Sequence, residues 1–286
     1  MTELNLDSIE IINSIPSDQS QTAIHIYDHI RDIRTGIDNP GWDVHLHRVE
    51  SSTDFVALLD EITKRTAQTA AYPIVHIESH GWDESLQFSD GSLIFWPDLS
   101  PFLRCLNQAT RNNLLLICAA CRGFHAIKTL LDSIAEGAAV RMVIGPEETV
   151  MTGILEDALK ALYSSFLENP DVEHAMKDAQ KVEKSMRVLR AEDAFIDAYR
   201  HMLDIEAKSA KSKREKIEEL VSKAKEVPDL KNIKGLHGMA RQALRAHTPE
   251  SHFDRIKRSF FMLDDFPEVE PQVGYITLDF VRSIRL

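Results

Sequence analysis

Two apolar runs about forty residues apart each end at a reactive side chain. The first extends from Ile74 to His80 and is followed at once by glycine; the second extends from Leu114 to Cys121 and is followed by glycine two positions later. Short apolar runs of this kind are typical of buried strands. As neighbouring parallel strands, they would bring His80 and Cys121 together at the carboxyl edge of one sheet, where the ligand crevices of open α/β sheets form.

Strand-like and helical patterns alternate from residue 9 to about residue 180. Strand-like patterns occupy residues 9–15, 43–49, 72–79, 114–119 and 140–145, and helical patterns occupy 22–33, 53–66 with Thr53 as the cap, 97–110, 123–134, 149–168 and a segment that begins at 172. Asp90-Gly91 lies between two apolar runs within 84–96, which is a strong signal for a β-hairpin. The alternation predicts a mostly parallel sheet with helices on both faces.

The pair His80 and Cys121 suits nucleophilic catalysis. A free thiol is mostly protonated at neutral pH, so a nucleophilic cysteine needs a neighbouring base or a positive environment. His80 is the candidate base, and a helix that starts near residue 123 would favour the thiolate through its N-terminal dipole. Attack on a carbonyl carbon creates an oxyanion, for which the backbone N–H groups of Gly81 and Cys121 are the candidate donors.

Two short motifs carry a resemblance to a known family. Ala119-Ala120-Cys121-Arg122-Gly123 resembles the active-site pentapeptide of caspases, and Ser79-His80-Gly81 resembles the histidine motif of the same clan of cysteine peptidases, clan CD. The wider order, over roughly residues 8 to 180, is most similar to bacterial caspase-like proteases of the CHAT type. The resemblance implies a caspase-like three-layer α/β sandwich and a cysteine endopeptidase with Cys121 as nucleophile and His80 as base.

The resemblance also implies a role but leaves the substrate preference open. Bacterial proteases of this type often process a partner protein in regulated cell death or antiviral defence. Caspases have glutamine and metacaspases have aspartate two positions before the cysteine, where this chain has Ala119, so neither preference can be carried over. Five carboxylates are predicted on loops around the crevice, where they would favour a basic residue at P1, the position before the cleaved bond: Asp18, Asp83, Glu84, Glu147 and Glu148.

Two other classes of function stay open at the level of sequence. One is a catalytically silent caspase-like adaptor that binds partners, against which the presence of both catalytic side chains weighs. The other is a different cysteine-based hydrolase or transferase, which the residues flanking Cys121 disfavour. Cys105 and Cys118 are interpreted as core cysteines. His76 and His80 lie four residues apart, but no third ligand follows at a suitable spacing, so no metal or cofactor is predicted.

Composition limits the partners. A formal net charge of −12 at pH 7 gives no support for a nucleic-acid partner, because duplex binding uses a basic surface. No apolar run reaches the roughly 18 residues of a membrane helix, and no signal peptide is recognised, so no membrane partner is expected. Three cysteines without paired spacing favour a reducing compartment. We expect a cytoplasmic protein with a protein or peptide substrate and, as a further option, a regulatory protein partner.

The chain is expected to contain a peptidase core and a mainly helical C-terminal extension. Residues 1–180 form the core, and residues 181–250 form a helical, partly basic linker or regulatory segment, whose stretch 205–216 is either a solvated face or a maturation site. Residues 251–286 are rich in aromatic side chains and include a strand-like stretch at 273–281. This last segment is expected either to pack on the core or to bind a partner.

Overall fold

A computed structural model of the chain describes residues 6–36, 42–120, 134, 136–208, 217–218, 221–222, 237–239 and 249–284. The strands are β1 (Ser8–Asn13), β2 (Asp43–Arg48), β3 (Pro73–Glu78), β4 (His80–Gly81), β5 (Ser85–Gln87), β6 (Leu93–Phe95), β7 (Leu115–Cys118), β8 (Met142–Pro146) and β9 (Met186–Arg190). The helices are α1 (Thr22–Gly36), α2 (Ser52–Thr69), α3 (Trp96–Ala109), α4 (Thr152–Glu168), α5 (Val172–Val182), α6 (Ala191–Lys208), α7 (Pro249–Phe260), α8 (Glu270–Val273) and α9 (Leu278–Ser283).

The main sheet has the strand order β2-β1-β3-β7-β8-β9. All neighbouring pairs run parallel except β8 and β9, which are antiparallel. Helices follow most of these strands along the chain, as parallel crossovers require. The predicted three-layer α/β architecture with a mostly parallel sheet is therefore confirmed, together with a helical C-terminal part.

Alternation along the strands creates a core on each face of the sheet. Ile74 and Ile117 point to one face, where they pack with apolar residues of α1, α4 and α5. Val75 and Leu116 point to the opposite face, where they pack with apolar residues of α2, α3 and α6. Successive side chains of a strand point to opposite faces, so an almost continuously apolar strand is buried on both sides.

A second, three-stranded antiparallel sheet consists of β4, β5 and β6. Its hairpin turns at Asp90 and Gly91, as the sequence predicts. Gly91 has a φ of +87°, a conformation that glycine adopts without the steric cost of a Cβ atom. The N–H of Ser92 donates to the Asp90 carboxylate at 2.8 Å. This small sheet begins at His80, so the candidate catalytic histidine lies where the two sheets meet.

Two expectations about local structure are wrong. The cap of α2 is Ser51 and not Thr53: the Ser51 hydroxyl accepts from the Asp54 N–H, and the Asp54 side chain accepts from the Ser51 N–H. This reciprocal pair satisfies two N–H groups at the helix start, which a cap at residue 53 could not do. Residues 186–190 were expected to be helical, but they form β9, because pairing with β8 gives this short segment tertiary backbone partners.

The strand expected at residues 273–281 is also absent. This stretch contains the end of α8, a turn and α9. The Thr277 hydroxyl accepts from the Phe280 N–H at 3.1 Å and so caps α9. Val273 of α8, Ile276 of the turn and Val281 of α9 are buried, so the buried positions do not follow the two-residue alternation of a strand.

The C-terminal helices close one face of the core with aromatic side chains. Phe253, Phe260 and Phe261 are buried against Phe195 and Tyr199 of α6, with ring centroids 4.8 to 5.8 Å apart. These separations are typical of favourable aromatic pairs. The expected helix 123–134 and the basic stretch 205–216 fall almost entirely outside the described residues. Each helix within the described ranges is too short or too polar to cross a bilayer.

A buried ion pair joins the sheet to the C-terminal helices. Arg141, just before β8, is fully buried and donates to the Glu192 carboxylate of α6 at 2.6 Å. The same guanidinium donates to the Gln272 side chain at 3.2 Å and lies 5.7 Å from the Phe261 ring centroid. Burial lowers the pKa of Arg141, and the charge of Glu192 acts in the opposite direction.

We predict that Glu192→Ala destabilises the fold strongly, because it leaves a buried guanidinium without its charge partner. The expected loss is about 3–5 kcal/mol in the free energy of unfolding, measured by urea denaturation. Asp60→Ala is the matched control, because Asp60 pairs with Lys64 on an exposed helix face and such pairs contribute about 0.5 kcal/mol or less. Equal losses in the two variants would contradict a structural role for the Arg141 pair.

Candidate active site

The pairing of β3 with β7 fixes the register of the two strands that precede the candidate catalytic residues. Ile77 lies opposite Cys118 in the parallel register, and the Ala119 N–H continues the pairing by donating to the Ile77 carbonyl at 2.9 Å. His80 follows Ile77 by three residues, and Cys121 follows Cys118 by three residues. Cys121 itself lies outside the described residues.

His80 is half-buried and begins β4, where it pairs with Gln87, while Gly81 pairs with Leu86. It borders two cavities. The outer cavity has a volume of about 820 Å³ and is lined mainly by the small sheet and the loop after Gly81. The inner cavity has a volume of about 320 Å³ and extends from His80 to Ala119. Both volumes fall within the range of small-molecule and side-chain binding sites.

The outer cavity combines aromatic and acidic side chains. Trp82 and Phe95 line it and are 59% and 44% exposed. Asp83 and Glu84 line it as well. The Trp96 indole donates to the Asp83 carbonyl at 3.1 Å and so holds the loop in place. The arrangement offers large apolar contact surface beside negative charge.

The inner cavity lies between the loop after β1, the end of β3 and the start of α4. Its apolar wall includes Ile15, Val150 and Leu155. Its polar wall includes two carboxylates, Glu78 and Glu156. Among the described residues that line it there is no lysine or arginine.

Glu78 is held by a buried chain of hydrogen bonds. The Thr22 hydroxyl donates to its Oε2, and His76 Nε2 lies 3.3 Å from its Oε1. The Tyr163 hydroxyl lies 2.8 Å from His76 Nδ1. A carboxylate only accepts, so His76 carries its hydrogen on Nε2 and accepts on Nδ1 from Tyr163. Burial, followed by the negative charge of Glu78, raises the pKa of Tyr163 well above its usual value, which keeps this hydroxyl a donor.

Glu156 has its own partners. His25 Nδ1 lies 3.0 Å from its Oε2, and Lys160 donates to its Oε1 at 2.5 Å. Burial alone would raise the pKa of Glu156, but the hydrogen bonds from His25 and Lys160 outweigh burial, so the pKa lies below the usual value. The charge of Glu156 is thus largely balanced by Lys160. Glu78 has no lysine or arginine partner among the described residues.

The carboxylates predicted from the sequence lie in different places. Asp83 and Glu84 line the outer cavity. Asp18 is exposed in the turn after β1 and lines neither cavity. Glu147 and Glu148 are exposed after β8, and Glu147 forms an ion pair with Arg187 at 3.0 Å.

Sequence reasoning missed Glu78 and Glu156. A signal for Glu78 was present, because it interrupts an apolar strand, and a buried charge needs partners that are held in place. Its partner Thr22 is 56 residues away in the sequence, so the pairing could not be predicted. Glu156 lies on an amphipathic helix, where its pattern is that of an ordinary polar face.

Cys118, Cys105 and His76 lie apart from the candidate catalytic pair in role. Cys118 is fully buried, which raises the pKa of its thiol to about 12. Cys105 is exposed on α3 and not a core residue as expected. His76 is buried in the Tyr163–Glu78 chain. No group of three or more metal-ligating side chains occurs in the part of the chain that the structure describes.

Comparison with known proteins gives a likeness of fold. The chain matches no protein-family model. No curated protein matches its sequence. Among solved structures, it is similar to a secreted C11 cysteine protease from Bacteroides thetaiotaomicron in complex with an irreversible peptide inhibitor, with 11% identity, a TM-score of 0.49, and coverage of 70% of this chain and 71% of that one. A fold can host unrelated activities, so function has to be argued from the site.

Proposed function

We propose that the chain is a cysteine endopeptidase with Cys121 as nucleophile and His80 as general base. The observation that carries the proposal is the β3–β7 register, in which Ile77 and Cys118 are partners and each precedes a candidate catalytic residue by three positions. Neighbouring strands lie about 4.8 Å apart. We infer that the residues at equal distances beyond this pair, His80 and Cys121, come together at the carboxyl edge of the sheet.

The proposed reaction follows from these two groups. His80 takes the proton of the Cys121 thiol, and the thiolate attacks the substrate carbonyl carbon to form a C–S bond. The backbone N–H groups of Gly81 and Cys121 stabilise the oxyanion. The C–N bond then breaks as His80 returns the proton to the leaving amine. A water molecule, deprotonated by His80, hydrolyses the thioester and regenerates the thiol.

The cavities beside His80 support a peptide substrate. Side chains of an extended peptide alternate in direction and need separate recesses. The outer cavity offers the exposed rings of Trp82 and Phe95 and the acidic residues Asp83 and Glu84. We include a basic P1 preference in the proposal, because the carboxylates that border both cavities favour cationic side chains.

The biological part of the proposal comes from the resemblance of the two motifs. A caspase-like protease of the CHAT type would act in the cytoplasm and cleave a partner protein in a bacterial cell-death or antiviral defence pathway. Asp18, Glu147 and Glu148 remain candidates for contacts with such a substrate at the rim, since all three are exposed.

We predict that Cys121→Ala abolishes peptide cleavage and that His80→Ala lowers kcat by a factor of about 100 or more, because general-base catalysis contributes roughly 10²–10⁴-fold. The assay uses a library of fluorogenic peptides that varies the P1 residue. His252→Ala is the control, because His252 lies on α7 in the C-terminal part of the chain. Cleavage that survives in Cys121→Ala would contradict the proposed nucleophile, and partner binding without any turnover would favour the adaptor.

A second prediction concerns the other two thiols. N-ethylmaleimide at pH 7 should modify exposed Cys105 in the folded chain but leave Cys118 unmodified, because burial raises the pKa of Cys118 to about 12 and excludes the reagent. Peptide mapping by mass spectrometry gives the extent at each site, and unfolding in urea should expose Cys118 as the positive control. Modification of Cys118 in the folded chain at the rate of Cys105 would show that the end of β7 is open to solvent.

A further inference from the structure

We propose that the inner cavity is the P1 subsite and that Glu78 at its wall selects a cationic side chain. This inference rests on the proposed function, because it assumes that the scissile bond lies at His80. It assigns the preference for a basic P1 residue to a carboxylate within β3. The sequence pattern had pointed instead to carboxylates on loops.

The position of the inner cavity fits the residue before the cleaved bond. It borders His80 on one strand end and Ala119 on the neighbouring strand end. Ala119 precedes Cys121 by two residues. A substrate whose carbonyl carbon lies between the two catalytic side chains therefore has the inner cavity directly beside it.

The walls of the cavity match the two parts of an arginine or lysine side chain. Ile15, Val150 and Leu155 provide apolar surface for the methylene stem. Glu78 provides an acceptor for the charged head. A carboxylate has about four acceptor positions, and its hydrogen bonds with Thr22 and His76 occupy two of them. In the proposed subsite, the remaining positions accept hydrogen bonds from the charged head of the substrate side chain.

The surroundings of Glu78 keep its position fixed before a substrate arrives. The residue is 2% exposed, and its two carboxylate oxygens have partners on α1, at Thr22, and on β3 itself, at His76. A preorganised acceptor loses little conformational freedom on binding. Glu156, the other carboxylate of the cavity, is already paired with Lys160 at 2.5 Å. Glu78 is therefore the carboxylate that discriminates between charged and neutral side chains.

The test compares P1 preferences of wild type and variants with fluorogenic peptides that end in arginine, glutamine or aspartate at P1. Wild type should prefer arginine, and Glu78→Gln, which keeps the size of the side chain, should lower the ratio of kcat/KM for arginine over glutamine by about 10- to 100-fold. Val150→Arg places a cation in the cavity wall and should lower the same ratio even if Glu78→Gln does not fold. Met151→Arg is its matched control, because Met151 is 71% exposed and does not line the cavity.

The outcomes separate this inference from the proposed function. Cleavage after aspartate or glutamine in preference to arginine overturns the inference and leaves the peptidase standing, as does an unchanged ratio in both Glu78→Gln and Val150→Arg. If no peptide is cleaved, the proposed function fails. Binding of butylguanidinium to the inner cavity is then measured by saturation-transfer NMR, which tests the cation subsite without any cleavage. Butylguanidinium that binds to Cys121→Ala but not to the Cys121→Ala/Glu78→Gln double variant would support the cation subsite. Absence of butylguanidinium binding to Cys121→Ala would overturn it.

Discussion

The parallel pairing of β3 with β7 is the interaction on which the candidate site depends. It sets Ile77 opposite Cys118 and is continued by the hydrogen bond from Ala119 to Ile77. Both strands are buried on both faces, so a shift of one residue would turn apolar side chains the wrong way on each of them. The register is therefore strongly fixed by packing as far as the ends of the two strands. The proposed pairing of His80 with Cys121 rests on this register.

The same strand carries a polar chain into one of those cores. His76 and Glu78 share a face of β3 with Ile74, and this face packs on α1 and α4. Burying a histidine and a carboxylate costs free energy unless each polar atom has a partner. Tyr163 on α4 and Thr22 on α1 supply those partners, so the chain also ties two helices to the sheet. Burial of the Glu78 carboxylate beside the inner cavity fits the role in substrate binding that we propose for it, in addition to its role in the fold.

The sequence allowed most of the sheet to be predicted, because strand alternation and turn residues are local signals. The apolar runs around residues 74 and 115, and the Asp90-Gly91 turn, lie where they were expected. The errors come from interactions between distant segments. β9 becomes a strand only through its pairing with β8. Residues 273–281 form no strand, because Thr277 caps α9 while Val273 and Val281 reach the core. Glu78 was missed for the same reason, since its role depends on Thr22 and on a cavity wall from α4.

The proposed pairing of His80 with Cys121 is tested most directly by the pH dependence of Cys121 alkylation. The rate of reaction with iodoacetamide would be followed at Cys121 by peptide mass spectrometry between pH 5 and pH 10, in wild type and in His80→Ala. An unpaired thiol titrates near about 8.5, whereas an imidazolium neighbour keeps the thiolate at lower pH. We expect that wild-type Cys121 still reacts below pH 7 and that His80→Ala shifts the profile toward that of an ordinary thiol. Identical profiles in the two proteins would contradict the pair.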